Sequence, residues 1–400
     1  MNQRDSVGMT PLTWAARHGH EEVVKLLLQE KHIQPDQQDA NDGRTALSWA
    51  AGNGHEEVVR LFLAPQFVNP GSMGPQWGKR TRVVNHLFGE RYVNPNSSSM
   101  YGRTPLFLAA ENGHEGVVKL LLGREDVNPD TLDLIDGPVS WAAGNRHGGV
   151  VRHLLWWKDV NPDTLGLYSG RTPLSRAAEQ GHEGIVELLL GRKDVNPNTL
   201  DTINGCTPLS LAAMKGYERI VKLLLGWKDV NPNTPDTTYG QTPLSRAAEY
   251  GQEGIVKLLL GRNDVNPDTR DTRYGRTPLS WAAENGRQGI VKLLLGQRDV
   301  KPNTRDTKYG RTPLTWAAGN GHEGIVKLLL EWKEVKPDTR DMYGRTPLSW
   351  AARHGHEGIV KLLLGQEDVN PNSSSESGET PLMLATQNGH QRVVELLQAY

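Results

Sequence analysis

The tripeptide Thr-Pro-Leu returns nine times in this chain, at Thr10, Thr104, Thr172, Thr207, Thr242, Thr277, Thr312, Thr346 and Thr380. Weaker copies stand at Thr45, where Ala replaces Pro, and at Gly137, where the triplet reads Gly-Pro-Val. From Gly137 onward successive copies lie 35, 35, 35, 35, 35, 34 and 34 residues apart. A fixed period of this length constrains the fold more than chain length does. It makes 400 residues a stack of one supersecondary unit rather than two or three separate domains.

One copy shows the physics. Thr277 carries a hydroxyl suited to cap a helix, and Pro278 sits where a missing N–H costs nothing. Leu279, Ala282 and Ala283 then share one helical face, and the alanines let a neighbouring helix approach closely. Gly286 ends this short helix. A second helix follows, with a broader apolar stripe from Ile290, Val291, Leu293, Leu294 and Leu295. Gly296, Val300, Pro302 and the polar run to Gly310 read as an extended finger before Thr312 restarts the cycle. Such a unit cannot bury its apolar faces alone, but stacked copies can.

These motifs resemble ankyrin repeats: Thr-Pro-Leu-x-x-Ala-Ala-x-x-Gly-His, a Val-Val-x-Leu-Leu-Leu helix and an Asp-Val-Asn turn, recurring over nearly all of the chain. The resemblance implies an all-α ankyrin-repeat solenoid of about 12 helix-turn-helix units with β-hairpin-like fingers. The sequence departs from the family in three ways. Ser or Thr (Ser280, Thr315, Ser349) stands where the family has a histidine, the fingers are one or two residues longer, and glycine sits near the start of several second helices (Gly116, Gly254, Gly289, Gly358). The spelling Ser-Trp-Ala-Ala with Gly-Ile-Val-Lys-Leu-Leu-Leu is similar to arrays of filamentous fungi, which often follow an NTPase or effector domain. By that likeness the chain would be the targeting region of a larger protein.

The period assigns residues 1–64 to two units, 65–96 to a degenerate or truncated one, and 97–400 to nine more, the last cap-like. Within 65–96, Val83–Phe88 reads as a second helix, and no first helix is legible in Gly71–Lys79. A real deletion, a hinge and an error in the gene sequence are all open. In the last unit Thr386 and Gln398 replace an alanine and a leucine, the polar dressing that a terminal face requires.

Little here suggests chemistry. Eight histidines (His20, His55, His114, His147, His182, His322, His356, His390) occupy one repeat position and are spaced too far apart to converge on one metal ion. We therefore expect each to bond neighbouring backbone. Gly319-x-Gly321-x-x-Gly324 matches a dinucleotide-binding pattern but joins two helices, without the strand that gives the pattern meaning. The single cysteine, Cys206, excludes a disulfide framework and favours a reducing compartment, cytoplasm or nucleus. No secretory leader and no run of about 20 apolar residues is present. We expect no catalytic residues, metal, cofactor or small-molecule substrate.

What remains is a surface. At 100° per residue Trp281 points well away from the Leu279–Ala282–Ala283 face, and the same slot holds Trp14, Trp49, Trp141, Trp316 and Trp350, with Arg176 and Arg246 in the middle units. The finger tips carry Tyr274, Tyr309 and Tyr343, followed by Arg276, Arg311 and Arg345. In ankyrin arrays this side of the first helix is the concave wall. Trp, Tyr and Arg are the residue types of binding hot spots, so these residues are the candidate groove for a protein or peptide partner. Two other readings of the tryptophans stay open: each seals the stack against its neighbour, or they form a cage for a modified group such as methyl-lysine. A formal net charge of -1 argues against RNA as the partner.

Overall fold

The computed structural model describes residues 2–64, 93–131, 133, 136–157, 160–167 and 169–400. The chain forms two compact bodies, Met1–Ile203 and Asn204–Tyr400. Both are all-α: the described residues form 22 helices in pairs and no strand. The first body holds α1 (Pro11–Arg17), α2 (Glu21–Gln29), α3 (Ala46–Gly52), α4 (Glu56–Phe62), α5 (Pro105–Glu111), α6 (Glu115–Leu122), α7 (Pro138–Gly144), α8 (Gly148–Trp156), α9 (Pro173–Gln180) and α10 (Glu183–Leu190). The second holds α11 (Pro208–Lys215), α12 (Glu218–Leu225), α13 (Pro243–Tyr250), α14 (Glu253–Leu260), α15 (Pro278–Glu284), α16 (Gln288–Leu295), α17 (Pro313–Gly319), α18 (Glu323–Leu330), α19 (Pro347–His354), α20 (Glu357–Leu364), α21 (Pro381–Gln387) and α22 (Gln391–Gln398). Odd numbers are first helices of the repeat and even numbers second helices. Within each body, odd stacks on odd and even on even.

Each first helix begins as the sequence implies. Thr277 caps α15 by accepting the Ser280 N–H, and Pro278 opens the first turn. The Ser280 hydroxyl lies 3.2 Å from the Thr277 hydroxyl, and Thr315 and Ser349 make the same contact with Thr312 and Thr346. A second hydroxyl thus does the work expected of a histidine. Leu279, Ala282 and Ala283 are fully buried, as are Val291 and Leu294 of the partner helix. Helices of seven or eight residues are too short to persist alone, so this burial between repeats is what holds them.

Repeats are also tied by backbone. The Nε2–H of His55, His114, His147, His182, His322, His356 and His390 donates to a carbonyl at the end of the preceding first helix, at 2.9–3.1 Å. Gln252 and Arg287 fill the slot in two repeats and donate to the carbonyls of Met214 and Glu249. The ring needs bare backbone beneath it: a Cβ on Gly321 (φ +79°) would meet His356 Cε1 at 2.8 Å. In the second helices the exposed Glu218 carboxylate lies where a Cβ on Gly254 would stand, whereas nothing lies within 4 Å of one on Gly184.

The fingers are turns rather than hairpin strands. Asp271 N donates to the Arg276 carbonyl to close one turn, and each finger meets the next through a backbone bond: Thr307 to the Tyr274 carbonyl (2.7 Å), Met342 to that of Tyr309 (2.8 Å), Glu376 to that of Tyr343 (2.9 Å). In the fingers before α13, α15, α17 and α19 a buried carboxylate organises the turn from inside. Asp271 accepts the N–H of Tyr274 (2.6 Å) and Gly275 (3.1 Å) and the indole N–H of Trp281 (3.0 Å). Asp306 does the same for Tyr309 and Trp316, and Asp341 for Tyr343 and Trp350. Where the slot holds Arg246, its guanidinium reaches Asp236 instead. In the first body Trp14 bonds Asp5, Trp49 bonds Asp39, and Arg176 pairs with Asp136 of the preceding repeat.

This corrects the expected row of solvent-facing tryptophans. Trp281 and Trp316 are each only 7% exposed. Arginines fill the gaps between them: Arg276 lies 4.6 Å from the Trp281 ring and 4.0 Å from that of Trp316, and Arg311 lies 4.5 Å from Trp316 and 3.8 Å from Trp350. Side-chain direction on the helix was read rightly, but the finger folds back over it and covers the ring. Trp14, by contrast, is 39% exposed.

The segment 65–96, read from the period as a degenerate or truncated unit, lies outside the described residues except for its last four. Among those described there are eleven helix pairs, and α3 stacks directly on α5: His114 and Asn112 both donate to the Gly52 carbonyl. Asn94 N bonds Asp36, 58 residues away, where the equivalent bond of Asn196 to Asp163 spans 33. Thr386 and Gln398 of the final pair are exposed.

Two predictions follow from these ties. Trp316→Ala should cost about 3–5 kcal/mol in chemical denaturation, as for a buried aromatic, whereas Trp14→Ala should cost far less. The second concerns Asp36, whose Oδ2 accepts Asn94 N (2.7 Å) while its buried Oδ1 has no partner. Asn233 and Asn303, in the same slot, spend their second atom on a carbonyl of the next repeat, at 2.5 and 2.6 Å. Burial pushes the Asp36 carboxyl up from 3.8 to about 6. A raised folded value means the neutral form is favoured in the fold, so stability is fully present below about pH 4 and is lost as pH rises through about 6. Asp36→Asn should therefore raise stability at pH 7 by about 1–3 kcal/mol and flatten that pH window, measured by thermal melts between pH 4 and 8.

Candidate functional site

The second body carries an open cleft of about 600 Å³ on the side where the fingers meet the first helices. The helices α13, α15 and α17 present Arg246, Trp281 and Trp316, and the fingers preceding them present Tyr239, Tyr274 and Tyr309 with Gln241, Arg276 and Arg311. Seven of the residues expected in a groove thus come together here: Trp281, Trp316, Tyr274, Tyr309, Arg276, Arg311 and Arg246. Trp350, Tyr343 and Arg345 extend the same pattern on the next repeat but do not line the cleft. Trp14, Trp49, Trp141 and Arg176 belong to the first body.

The floor is fixed. Arg276 pairs with Glu284 (2.5 Å), and Arg246 with Asp236 (3.0 Å). Arg276 and Arg311 both lie against the Trp316 ring, at 4.0 and 4.5 Å from its centre. Burial raises the Glu284 carboxyl above its ordinary value, opposed by the adjacent Arg276 charge, and burial lowers the Arg311 guanidinium. These groups hold one another in place, and every cation on the floor has an acidic neighbour.

The rim differs. Tyr274 packs edge-on against Trp281 (6.2 Å between ring centres) and Tyr309 against Trp316 (5.9 Å), and both rings stay partly exposed. Exposed cations sit between the tyrosines: Arg273 over Tyr239 (4.8 Å) and Tyr274 (5.4 Å), Lys308 over Tyr274 and Tyr309 (4.9 Å each). A hydrogen bond with Tyr309 raises the Lys308 ammonium above its ordinary value, so it is charged throughout the neutral range. The arrangement can grip an extended chain by aromatic contact and charge. Among the described residues no group of three His, Cys, Asp or Glu side chains is placed to hold a metal ion, and no helix is long and apolar enough to cross a membrane.

Sequence reasoning missed Lys308, Glu249 and Glu284, and above all the buried aspartates Asp236, Asp271, Asp306 and Asp341. A signal for the aspartates was present. An Asp stands nine or ten residues before Trp14, Trp49, Arg246, Trp281, Trp316 and Trp350, although one also precedes Leu211 (Asp201) and none precedes Trp141 at that spacing; Ser stands there before Leu108 and Leu384.

Comparison with known families agrees with this architecture. A model of ankyrin repeats in three copies matches residues 1–72, 139–236, 193–271, 217–306, 255–341, 298–375 and 333–400, and a single ankyrin repeat matches 101–134. A search of curated proteins finds no match. Ankyrin repeats generally serve as protein–protein interaction modules and typically act as non-enzymatic scaffolds. With matches along most of its length and eleven stacked helix pairs among its described residues, the chain belongs to the ankyrin-repeat family.

Proposed function

We propose that this protein is a non-enzymatic scaffold that binds a protein partner, through an extended segment of it, in the cleft between the fingers and first helices of repeats 239–316. The observation that carries this reading is the division of labour in the cleft. A floor of mutually neutralised Trp, Arg and Glu side chains supports a rim of partly exposed Tyr274, Tyr309 and Lys308. A rigid floor lowers the ordering cost of binding, and half-buried tyrosines provide contact area with few rotors to freeze. The tryptophans then contribute as the support beneath the contact residues.

The methyl-lysine reading loses ground on the same geometry, because a cage needs aromatic faces free to take a cation and arginines already occupy them.

A random peptide library displayed against the full chain tests the proposal. Convergent sequences should emerge, and Tyr274→Ala with Tyr309→Ala should weaken their binding at least tenfold, about 1.4 kcal/mol, while the melting temperature changes little. Lys257→Ala, an exposed change on α14, should leave binding unaltered. Selected peptides indifferent to both tyrosines would move the site elsewhere.

A further inference from the structure

The fingers of the second body carry a line of cations that the fold does not neutralise. Arg270, Arg273, Arg305, Lys308 and Arg340 are all exposed. Arg270 donates to the carbonyls of Gly275 (3.0 Å) and Arg305 (2.7 Å), Arg305 to that of Gly310 (2.9 Å), and Arg340 to that of Ser374 (3.0 Å). Arg273 and Lys308 lie over tyrosine rings. These partners are backbone or aromatic, so the positive charge stays on the surface. The carboxylates of the same fingers are turned inward: Asp271, Asp306 and Asp341 are 3–4% exposed and are spent on N–H donors of their own turns and on tryptophan. Asp268 and Asp338 are partly buried and bound to the next repeat's backbone or finger. The near-zero charge of the whole chain hides this segregation, since at the finger tips Asp271, Asp306 and Asp341 go inside and the bases outside.

We infer that the partner segment is an acidic peptide, extended across the fingers, with a carboxylate at every third residue. The charge follows from the cationic rim. The spacing follows from two lengths. Stacked repeats advance by roughly 8–10 Å, the packing distance of their helices, and an extended chain rises about 3.3 Å per residue, so about three residues span one repeat. A carboxylate at positions i, i+3 and i+6 would meet the 270–273, 305–308 and 340 cations in turn, and the residues between would lie on Tyr274 and Tyr309.

The inference rests on the cleft being a peptide site, and the test separates the two. Four probes are titrated into the full chain by fluorescence anisotropy: a 12-residue peptide of Gly, Ser and Tyr with Asp at every third position, the same composition with Asp clustered, a version with Asn for Asp, and a 12-nucleotide oligouridine. The spaced acidic peptide should bind tightest, at least tenfold better than the Asn version and severalfold better than the clustered one. Arg273→Ala with Lys308→Ala should remove that advantage without lowering the melting temperature, since neither side chain makes an ion pair. If library-selected peptides need Tyr274 and Tyr309 but are neutral or basic, the cleft is a peptide site and the acidic-ligand inference is wrong. Equal binding of the spaced and clustered peptides would overturn the three-residue register. If oligouridine binds tightest and depends on both the tyrosines and the cations, both the inference and the peptide reading fall.

Discussion

No helix in this protein can stand without the next one. First helices of seven or eight residues and second helices of seven to nine fall below the length at which a helix persists in water, and their apolar faces are wholly taken up by neighbouring repeats. Everything else in the structure serves that stacking. A threonine cap and following proline start nine of the first helices at the same point (Ala46 replaces the proline in α3, and Gly137 the threonine before α7). Alanines let the next copy approach, and a histidine hydrogen-bonds the end of one first helix to the turn of the following repeat. Where Gln252 or Arg287 replaces histidine the donor is kept, which shows that the bond matters more than the ring. On either side of residues 65–92 the flanking repeats meet, α3 against α5.

A second system runs along the fingers. Its unit is a buried aspartate that gathers the N–H groups of its own turn and the side chain of the helix that follows. Carboxylates of this kind are costly to bury unless every lone pair is used, and here three or more donors converge on each. Trp and Arg alternate in the helix slot because both can offer an N–H at that reach. Arginines one position before the cap then fill the space between successive tryptophans. The aromatic row is therefore part of the framework, and the surface offered to a partner is the tyrosine and lysine edge it supports.

Much of this could be read from the sequence. The period, the caps, the buried leucines and alanines, and the histidine-to-backbone bonds follow from residues at fixed offsets. Trp281, Trp316, Tyr274 and Tyr309, grouped from the sequence by repeat position, do share a cleft. Two things were hidden for physical reasons. Helical geometry gives the direction of Trp281 but not what the finger lays over it, which depends on the path of an irregular loop. Motif spacing across the interruption after Phe62 does not tell which repeats are neighbours; the contact of His114 with Gly52 does. The pairing of Asp306 with Trp316 was legible only by comparing copies, since an Asp stands nine or ten residues before five of the six tryptophans in that slot.

The central claim is that finger and helix are one structural unit joined at that pair, with indole and carboxylate 3.0 Å apart. A double-mutant cycle in chemical denaturation, with Asp306→Ala, Trp316→Ala and the two together, measures it directly. The account predicts a coupling of at least about 1 kcal/mol, because removing either partner already strands the other. Effects that add to within about 0.5 kcal/mol would mean the two side chains stabilise the fold independently, and would contradict it.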